Sequence, residues 1–272
     1  MSTSTPLFSI LIANYNNGKF FEDCYNSVVA QTYQNFEVII VDDCSTDNSI
    51  EIIKNKIGDD ARFKIFENEK NSGVGFTKTR CSSLATGEIC AFLDPDDAIT
   101  ENALEISVKT HLENPDVALV YTDSFWCKET FEKPYRHNYK QVENGNPYFF
   151  NQAEIFHFAS YKNEFYKKTG GTDPTLKRAI DQDLYMKLYD VGKVLHLPEA
   201  IYYYRIHEGG ISTTKNVKKA YFWHWVVIID SAKRRGINIE DEFWDEFILK
   251  KDFKKFQNRK WVKLGYKIGL LN

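Results

Sequence analysis

Three carboxylates lie within four residues directly after an apolar stretch, and this segment is the best suited to chemistry. Asp94, Asp96 and Asp97 follow the run Ile89–Leu93. Such a cluster can begin a helix, because the helix dipole offsets part of the repulsion between the charges. It can also hold a divalent cation, since Mg²⁺ and Mn²⁺ prefer oxygen ligands and take the remainder from phosphate and water. A stiff strand that holds the acids in place favours the metal site.

Two further polar segments follow the first two apolar runs of the chain. Residues 13–18 read Ala-Asn-Tyr-Asn-Asn-Gly, and residues 42–47 read Asp-Asp-Cys-Ser-Thr-Asp. A turn with a helix cap explains the second segment, because Ser and Asp commonly supply both. Alternatively, Asp43 accepts hydrogen bonds from a base or ribose and Tyr15 supplies a ring contact. Neither segment decides between these alternatives by itself.

Three polar residues later in the chain each have a structural and a functional interpretation. Arg80 follows a glycine-containing stretch that matches neither the P-loop nor the dinucleotide fingerprint, so it is either a surface residue or a nucleotide contact. Asp181 stands where a helix cap would, or it is a lone carboxylate base. His207 either packs within the fold or contacts a ligand.

The elements that must position these residues alternate between strands and helices in the first half of the chain. Short Val/Ile-rich runs between amphipathic stretches indicate an α/β fold with a mostly parallel sheet flanked by helices. Ligands of such sheets bind beyond the carboxyl ends of the strands, where the acidic segments lie. The predicted strands are Leu7–Ala13, Phe36–Val41, Phe63–Phe66, Ile89–Leu93 and Val117–Tyr121; the predicted helices are Lys19–Gln31, Asn48–Ile57, Gly75–Ala85 and Glu101–Glu113.

The alternation becomes irregular after about residue 123, and the later pattern predicts a different organisation. We expect one domain over residues 1–214, with a nucleotide-binding half at 7–122 and an acceptor-binding half at 123–214. A helical C-terminal extension follows over 215–272. The later predicted elements are a helix at Asp181–Tyr189, strands at Lys193–Leu197 and Ala200–Ile206, and helices at Ala220–Arg234 and Asp241–Phe256.

Composition and charge exclude several classes of protein. The 272 residues carry a net charge of -3, so the whole molecule is not an electrostatic binder of nucleic acid. The five cysteines form no CxxC pair, and we expect reduced thiols and a cytoplasmic protein without a signal peptide. Residues 251–272 are basic, with seven Lys/Arg and one Asp. This segment either lies on an anionic membrane or forms a helix packed on the domain.

Four ordered segments resemble family 2 glycosyltransferases with the GT-A nucleotide-sugar-binding fold. The resemblance runs from about Phe8 to Ser212. Each segment is weak singly, but their order and spacing together are specific. The segments are Ser-Ile-Leu-Ile-Ala-Asn-Tyr-Asn at 9–16, Val-Asp-Asp-Cys-Ser-Thr-Asp at 41–47, Leu-Asp-Pro-Asp-Asp at 93–97, and Asp-Gln-Asp-Leu at 181–184.

The resemblance implies a role for each candidate residue. Asp181 would be the general base of an inverting transfer, removing the proton of an acceptor hydroxyl as its oxygen attacks the anomeric carbon. A divalent metal, Mn²⁺ or Mg²⁺, would neutralise the departing diphosphate, held by Asp97 with His207 as a further ligand or phosphate contact. The nucleotide-sugar-binding residues implied are Ala13, Tyr15, Asp43, Arg80, Asp94 and Asp96.

The implied substrates are a nucleotide-sugar donor, with UDP favoured, and a glycan or lipid-linked saccharide acceptor in cell-surface polysaccharide synthesis. A lipid-linked acceptor would place the protein at the inner face of the membrane. We expect the aromatic segment Tyr148–Tyr161 on the acceptor side. Two alternatives stay open: a metal-dependent phosphatase or phosphotransferase, whose site also begins with Asp-x-Asp after a strand, and a nucleotide-sugar-binding protein that has lost catalysis.

Overall fold

The computed structural model describes residues 5–212, 216–245 and Lys267, and the chain divides into two compact units at Ile228. The predicted domain boundary at residue 214 stays a prediction. The strands are β1 Phe8–Asn14, β2 Phe36–Asp42, β3 Phe63–Glu67, β4 Ile89–Phe92, β5 Ala98–Ile99, β6 Val117–Cys127, β7 Tyr135–His137, β8 Ser160–Lys162 and β9 Lys193–Arg205. The helices are α1 Phe21–Val29, α2 Ser49–Ile57, α3 Val74–Leu84, α4 Ala103–Glu113, α5 Asn163–Tyr166, α6 Ile180–Val191, α7 Val217–Arg235 and α8 Glu240–Phe243.

The strands form one sheet in the order β3-β2-β1-β4-β8-β6-β9-β5, with β7 paired to β6. The first four strands of this order are parallel to one another. β8 runs antiparallel to both β4 and β6, so β4 and β6 point the same way, and β6 is parallel to β9. The carboxyl ends of β1, β2, β4, β6 and β9 therefore meet at one edge, which we call the carboxyl edge.

Both faces of the sheet are covered, because successive side chains of a strand point to opposite faces. Along β1, Ile10 and Ile12 belong to one buried apolar cluster and Leu11 belongs to another. Every residue of β2 is buried. A strand that is buried on both faces has a continuous apolar sequence, and for this reason the positions of these strands could be predicted.

The predicted α/β class with flanking helices is confirmed, and the helix and strand positions of residues 7–121 agree within a few residues. The sheet is more mixed than predicted, since β5, β7 and β8 pair antiparallel with their neighbours. The two predicted strands of residues 193–206 are one strand, β9, which bends past Pro198 with irregular pairing to β6. Of the two interpretations of Asp181, the helix cap does not hold, because Ala179 is the N-cap of α6 and Asp181 lies in the first turn.

The end of the chain is described only in part. The predicted helix Asp241–Phe256 falls mostly outside the described residues, as does the basic segment 251–272 apart from Lys267. Of the helices in the described part of the chain, none has both the length and the apolar character needed to cross a bilayer. All five cysteines are free thiols, as predicted, and four of them are buried.

Candidate functional site

Asp96 and His207 form a contact at the carboxyl edge, between the segment after β4 and the segment after β9. The Nε2 atom of His207 lies 2.7 Å from Oδ2 of Asp96, and the two side chains are 8% and 17% exposed. The His207 ring packs on Phe20 at 4.6 Å between centroids. A carboxylate and an imidazole thus face each other in a partly open position.

Asp97 is directed into the protein, in contrast to its neighbour Asp96. The residue is 1% exposed, and its carboxylate accepts hydrogen bonds from the hydroxyl of Tyr202 and, at 2.6 Å, from the backbone amide of Arg205. Burial raises the pKa of Asp97, and the negative charges of Asp96 and Asp94 raise it further. Both carboxylate oxygens are therefore engaged in joining β4 to β9, and this geometry does not favour Asp97 as a metal ligand.

The buried ammonium group of Lys78 joins Asp94 to Asp181. Its Nζ atom lies 2.7 Å from Oδ1 of Asp181 and 3.3 Å from Oδ1 of Asp94, and its side chain is 4% exposed. The Nε2 atom of His157 lies 3.2 Å from the other oxygen of Asp181 and 4.0 Å from Asp94. The predicted base Asp181 and Asp94, the first acid of the Asp-x-Asp segment, thus both contact the ammonium group of Lys78.

The electrostatics of Asp181 follow from these contacts. Burial alone raises the pKa of the carboxyl, but the nearby Lys78 and His157 overcome this effect and hold the pKa well below its ordinary value. Burial lowers the pKa of Lys78, whereas Asp181 and Asp94 raise it by more. Asp181 is consequently ionised and held in one position, with a side chain that is still 24% exposed.

Asp43 and Arg80 belong to a second polar cluster, which surrounds Asn68 beside β2. Asp43 is 3% exposed and accepts hydrogen bonds from the Asn68 side chain at 2.7 Å and from the backbone amides of Ser72 and Gly73 at 2.8 and 2.7 Å. Arg80 donates to the side-chain oxygen of the same Asn68. This cluster fixes the loop that begins α3.

Ala13 and Tyr15 lie at the end of β1, next to β2. Ala13 is half-buried and Tyr15 is 42% exposed. Because β1 lies between β2 and β4, these two residues stand between the Asp43 cluster and the Asp-x-Asp segment. The carboxyl edge therefore carries Ala13, Tyr15 and Asp43, the predicted site residues at the ends of β1 and β2.

Comparison with known proteins identifies the family. The family model of "Glycosyl transferase family 2" matches residues 9–170. The chain belongs to glycosyl transferase family 2. A hyaluronan synthase from Pasteurella multocida is 29% identical to this glycosyltransferase over 266 residues, which make up 98% of this chain and 27% of that protein. The chain thus spans about a quarter of the length of this relative.

Solved structures show that the fold of this glycosyltransferase is the GT-A fold. S. aureus TarS, in complex with UDP-GlcNAc, superposes with a TM-score of 0.67 at 24% identity, over 82% of this chain and 66% of that structure. The mannosyltransferase PcManGT from Pyrobaculum calidifontis, in complex with GDP-Man and Mn²⁺, superposes with a TM-score of 0.64 at 20% identity, over 84% of this chain and 65% of that structure. The expected family and fold are both confirmed.

The side chains of this glycosyltransferase that could ligate a metal fit a divalent cation that is only partly held by protein. Nowhere in the described residues does a group of three His, Cys, Asp or Glu side chains form a closed metal site. Asp96 and His207 supply one oxygen and one nitrogen at the open edge. Mg²⁺ and Mn²⁺ commonly bind through one or two protein ligands and complete their shell with phosphate oxygens and water. The pair therefore fits such a cation beside a diphosphate.

Sequence reasoning missed Lys78, His157 and Arg205. Lys78 had a detectable signal, since it lies one turn before the buried Cys81 on the core-facing side of α3, where a lysine is unexpected. Arg205, 6% exposed, donates to the backbone oxygens of Asp96 and Glu129 and to the carboxylate of Asp23. His157 comes from the irregular segment before β8, and its partners are distant in sequence, so no local pattern marks it.

Proposed function

We propose that this glycosyltransferase transfers a single sugar, with inversion, from a UDP-sugar to a hydroxyl of a glycan or lipid-linked saccharide acceptor in cell-surface polysaccharide synthesis. The observation that carries the proposal is the position of Asp181. This ionised carboxylate lies against Lys78, and the same Lys78 contacts Asp94 of the Asp-x-Asp segment. A base for the acceptor hydroxyl therefore adjoins the segment that receives the donor in this family.

The donor is received at the carboxyl ends of β1, β2 and β4. Asp43 and Arg80 would contact the nucleobase from the Asn68 cluster, with Ala13 and Tyr15 beside it. UDP is favoured because the TarS structure of the same fold holds UDP-GlcNAc. The segment 94–97 would then face the ribose and the diphosphate.

A divalent cation would be held by Asp96 and His207, and Asp97 would have a structural role. This assignment departs from the sequence prediction because both oxygens of Asp97 are engaged by Tyr202 and Arg205. When bound, Mn²⁺ or Mg²⁺ neutralises negative charge that develops on the departing diphosphate. Support comes from the chemistry of the two side chains and from the Mn²⁺ of the PcManGT structure.

The transfer step uses the chain's own residues as follows. The acceptor oxygen forms a bond to the anomeric carbon, the bond from that carbon to the UDP oxygen breaks with its electron pair going to UDP, and the acceptor proton passes to Asp181. Lys78 and His157 orient the carboxylate and keep it ionised before the proton arrives. The positive charge of Lys78 also stabilises the negative charge that gathers between donor and acceptor.

Titration of UDP, with and without Mn²⁺, followed by a transfer assay on a panel of UDP-sugars, tests the proposal. Asp181→Asn is expected to bind UDP with unchanged affinity and to lose transfer by about 100-fold or more, the usual contribution of a general base. Asp116→Asn is the matched control, because this exposed carboxylate lies at the opposite end of the sheet, before β6.

The outcomes separate the remaining alternatives. Full transfer by Asp181→Asn would show that the base is another residue. UDP binding by the wild-type chain without turnover of any donor would favour the inactive nucleotide-sugar-binding protein. Absence of UDP binding would contradict the proposed donor. A membrane contact through residues 251–272 stays a prediction of the sequence.

A further inference from the structure

Five aromatic side chains pack in one contiguous group near the carboxyl edge, on the last two residues of β6, β7 and β9 and on the segment between β7 and β8. We call this group the aromatic wall; its members are Trp126, His137, Tyr139, Phe156 and Tyr204. Phe156 is central, since its ring contacts those of Trp126, Tyr139 and Tyr204 at centroid distances of 5.6, 5.7 and 5.3 Å. His137 packs against Trp126 at 5.1 Å and Tyr139 at 4.7 Å.

Only part of the aromatic wall fills the apolar core, since Tyr204 and Tyr139 pack against the clusters of the two sheet faces. All five rings are only partly buried, whereas the tyrosines that do build the core, such as Tyr121 and Tyr161, are almost wholly enclosed. Trp126 and Phe156 lie outside both clusters that cover the faces of the sheet. Partly exposed rings that pack on one another retain apolar area for a ligand, and flat rings with polar edges are suited to surfaces that are partly wet.

The aromatic wall adjoins the proposed base Asp181, on the side away from the polar cluster that surrounds Asn68. The ring of Phe156 contacts that of His157 at 5.8 Å, and His157 contacts Asp181 at 3.2 Å. Tyr204 lies close to the acidic segment: burial raises the pKa of its phenol, and Asp97, Asp94 and Asp96 raise it further. In the sheet order, β2 and β1 lie on one side of β4, and β6 and β9 lie on the other.

This placement determines which ligand the aromatic wall can receive. The nucleotide is assigned to the Asp43 and Arg80 side, so the wall faces the second substrate of the reaction. A pyranose ring presents an apolar face of C–H groups and polar hydroxyls at its rim, and it therefore matches a flat apolar surface with polar groups at its border. Two of the rings carry polar atoms of their own: the Trp126 indole donates to the buried Ser124 hydroxyl at 3.0 Å, and the Tyr139 hydroxyl lies 3.4 Å from the same oxygen.

We propose that the aromatic wall is the acceptor subsite, binding a pyranose ring of a saccharide acceptor through its C–H face next to Asp181. This inference rests on the proposed function. It makes Phe156 and Trp126 specificity-determining residues for saccharides, and it assigns part of the segment Tyr148–Tyr161, expected from the sequence on the acceptor side, to direct contact with the acceptor.

The test measures binding of hyaluronan and chondroitin hexasaccharides to the full chain in the presence of UDP and Mn²⁺, together with transfer kinetics. Phe156→Leu retains apolar volume and removes the ring, and Trp126→Leu does the same at the second position. Each is expected to weaken hexasaccharide binding and to raise the acceptor KM by at least tenfold, with the UDP affinity within twofold of wild type. Phe222→Ala, at a 54% exposed ring on α7, is the matched control and is expected to match wild type.

A second readout separates acceptor binding from general damage. Slow hydrolysis of the UDP-sugar without acceptor should be unchanged in Phe156→Leu, because water needs no aromatic surface. The inference is overturned if neither hexasaccharide binds the wild type, or if both leucine variants keep the wild-type acceptor KM. It is also overturned if hydrolysis and transfer fall together. Loss of UDP binding by the wild type would instead refute the proposed function, so the two failures are distinguishable.

Discussion

The Nζ atom of Lys78 lies 2.7 Å from the carboxylate of Asp181, a residue 103 positions later in the chain. The contact joins α3, on the side proposed for the nucleotide, to the first turn of α6. Because Lys78 is buried and also reaches Asp94, its charge is shared between the two halves of the site. The ionisation of the proposed base therefore depends on the packing of α3.

Replacing Lys78 by Met should shift the pH dependence of transfer. Burial raises the pKa of Asp181, and the variant removes the foremost of the charges that lower it. The pKa of Asp181 then rises, so the ionised form is lost at a higher pH than in the wild type. We expect kcat/KM of Lys78→Met to fall as the pH is lowered from 8 to 5, over a range in which wild-type Asp181 stays ionised.

The matched control is His111→Gln, at a buried polar side chain of α4 on the far side of the sheet. Its pH profile should keep the wild-type shape. A Lys78→Met profile parallel to that of the wild type, differing only in height, would contradict control of the Asp181 pKa by Lys78.

Cation binding should require the nucleotide. Asp96 and His207 offer only two protein ligands, and the diphosphate supplies others. We expect Mn²⁺ titrated alone to bind weakly, and Mn²⁺ with UDP to bind at least tenfold more tightly. Asp96→Asn and His207→Ala should abolish this difference, whereas Asp116→Asn should keep it. Tight Mn²⁺ binding without UDP would indicate a site with further protein ligands.

Asp97 should affect stability more than metal binding. Asp97→Ala leaves the Tyr202 hydroxyl and the Arg205 amide without their buried acceptor, which costs about 1–3 kcal/mol for each group. Asp97→Asn retains an oxygen for the amide and an NH₂ group for the tyrosine oxygen, so its loss should be smaller. Chemical denaturation measures both. Loss of Mn²⁺-dependent UDP binding in a folded Asp97→Asn variant would instead indicate that Asp97 is a metal ligand, as the sequence predicted.

The strands and the acidic segments were predictable because each depends on a local pattern. The buried runs of β1, β2 and β4 are continuous in sequence, and the carboxylates that follow them reach the carboxyl edge by the geometry of parallel strands alone. The direction of a side chain within such a segment is not local. Asp96 and Asp97 are adjacent and chemically identical, yet β9 directs Asp97 inward through Tyr202.

The contacts of the aromatic wall were not predictable, for the same reason. Trp126, Phe156 and Tyr204 come from three segments whose contact depends on the pairing of β6 with β9 and on an irregular chain before β8. No spacing in the sequence indicates that these rings meet. The relation of Lys78 to Asp181 likewise needs the packing of two helices, although the buried position of a lysine on α3 was a readable sign.

The close packing of α3 gives a last prediction, at Gly75. A Cβ atom there would lie 2.4 Å from the backbone oxygen of Leu176 and 2.8 Å from that of Asp173, in the turn that leads to α6. Ala is ordinarily the better helix former by about 1 kcal/mol, but this contact requires a backbone shift, and overpacking costs about 1–3 kcal/mol. Because α3 carries Lys78 and α6 carries Asp181, the shift should also separate their charges.

We expect Gly75→Ala to be destabilised and to lose transfer beyond its loss of UDP affinity. Ser83→Ala, at an exposed position of α3, should match the wild type in both measurements, and a fully active, equally stable Gly75→Ala would show that the approach of the two segments is looser than the structure indicates.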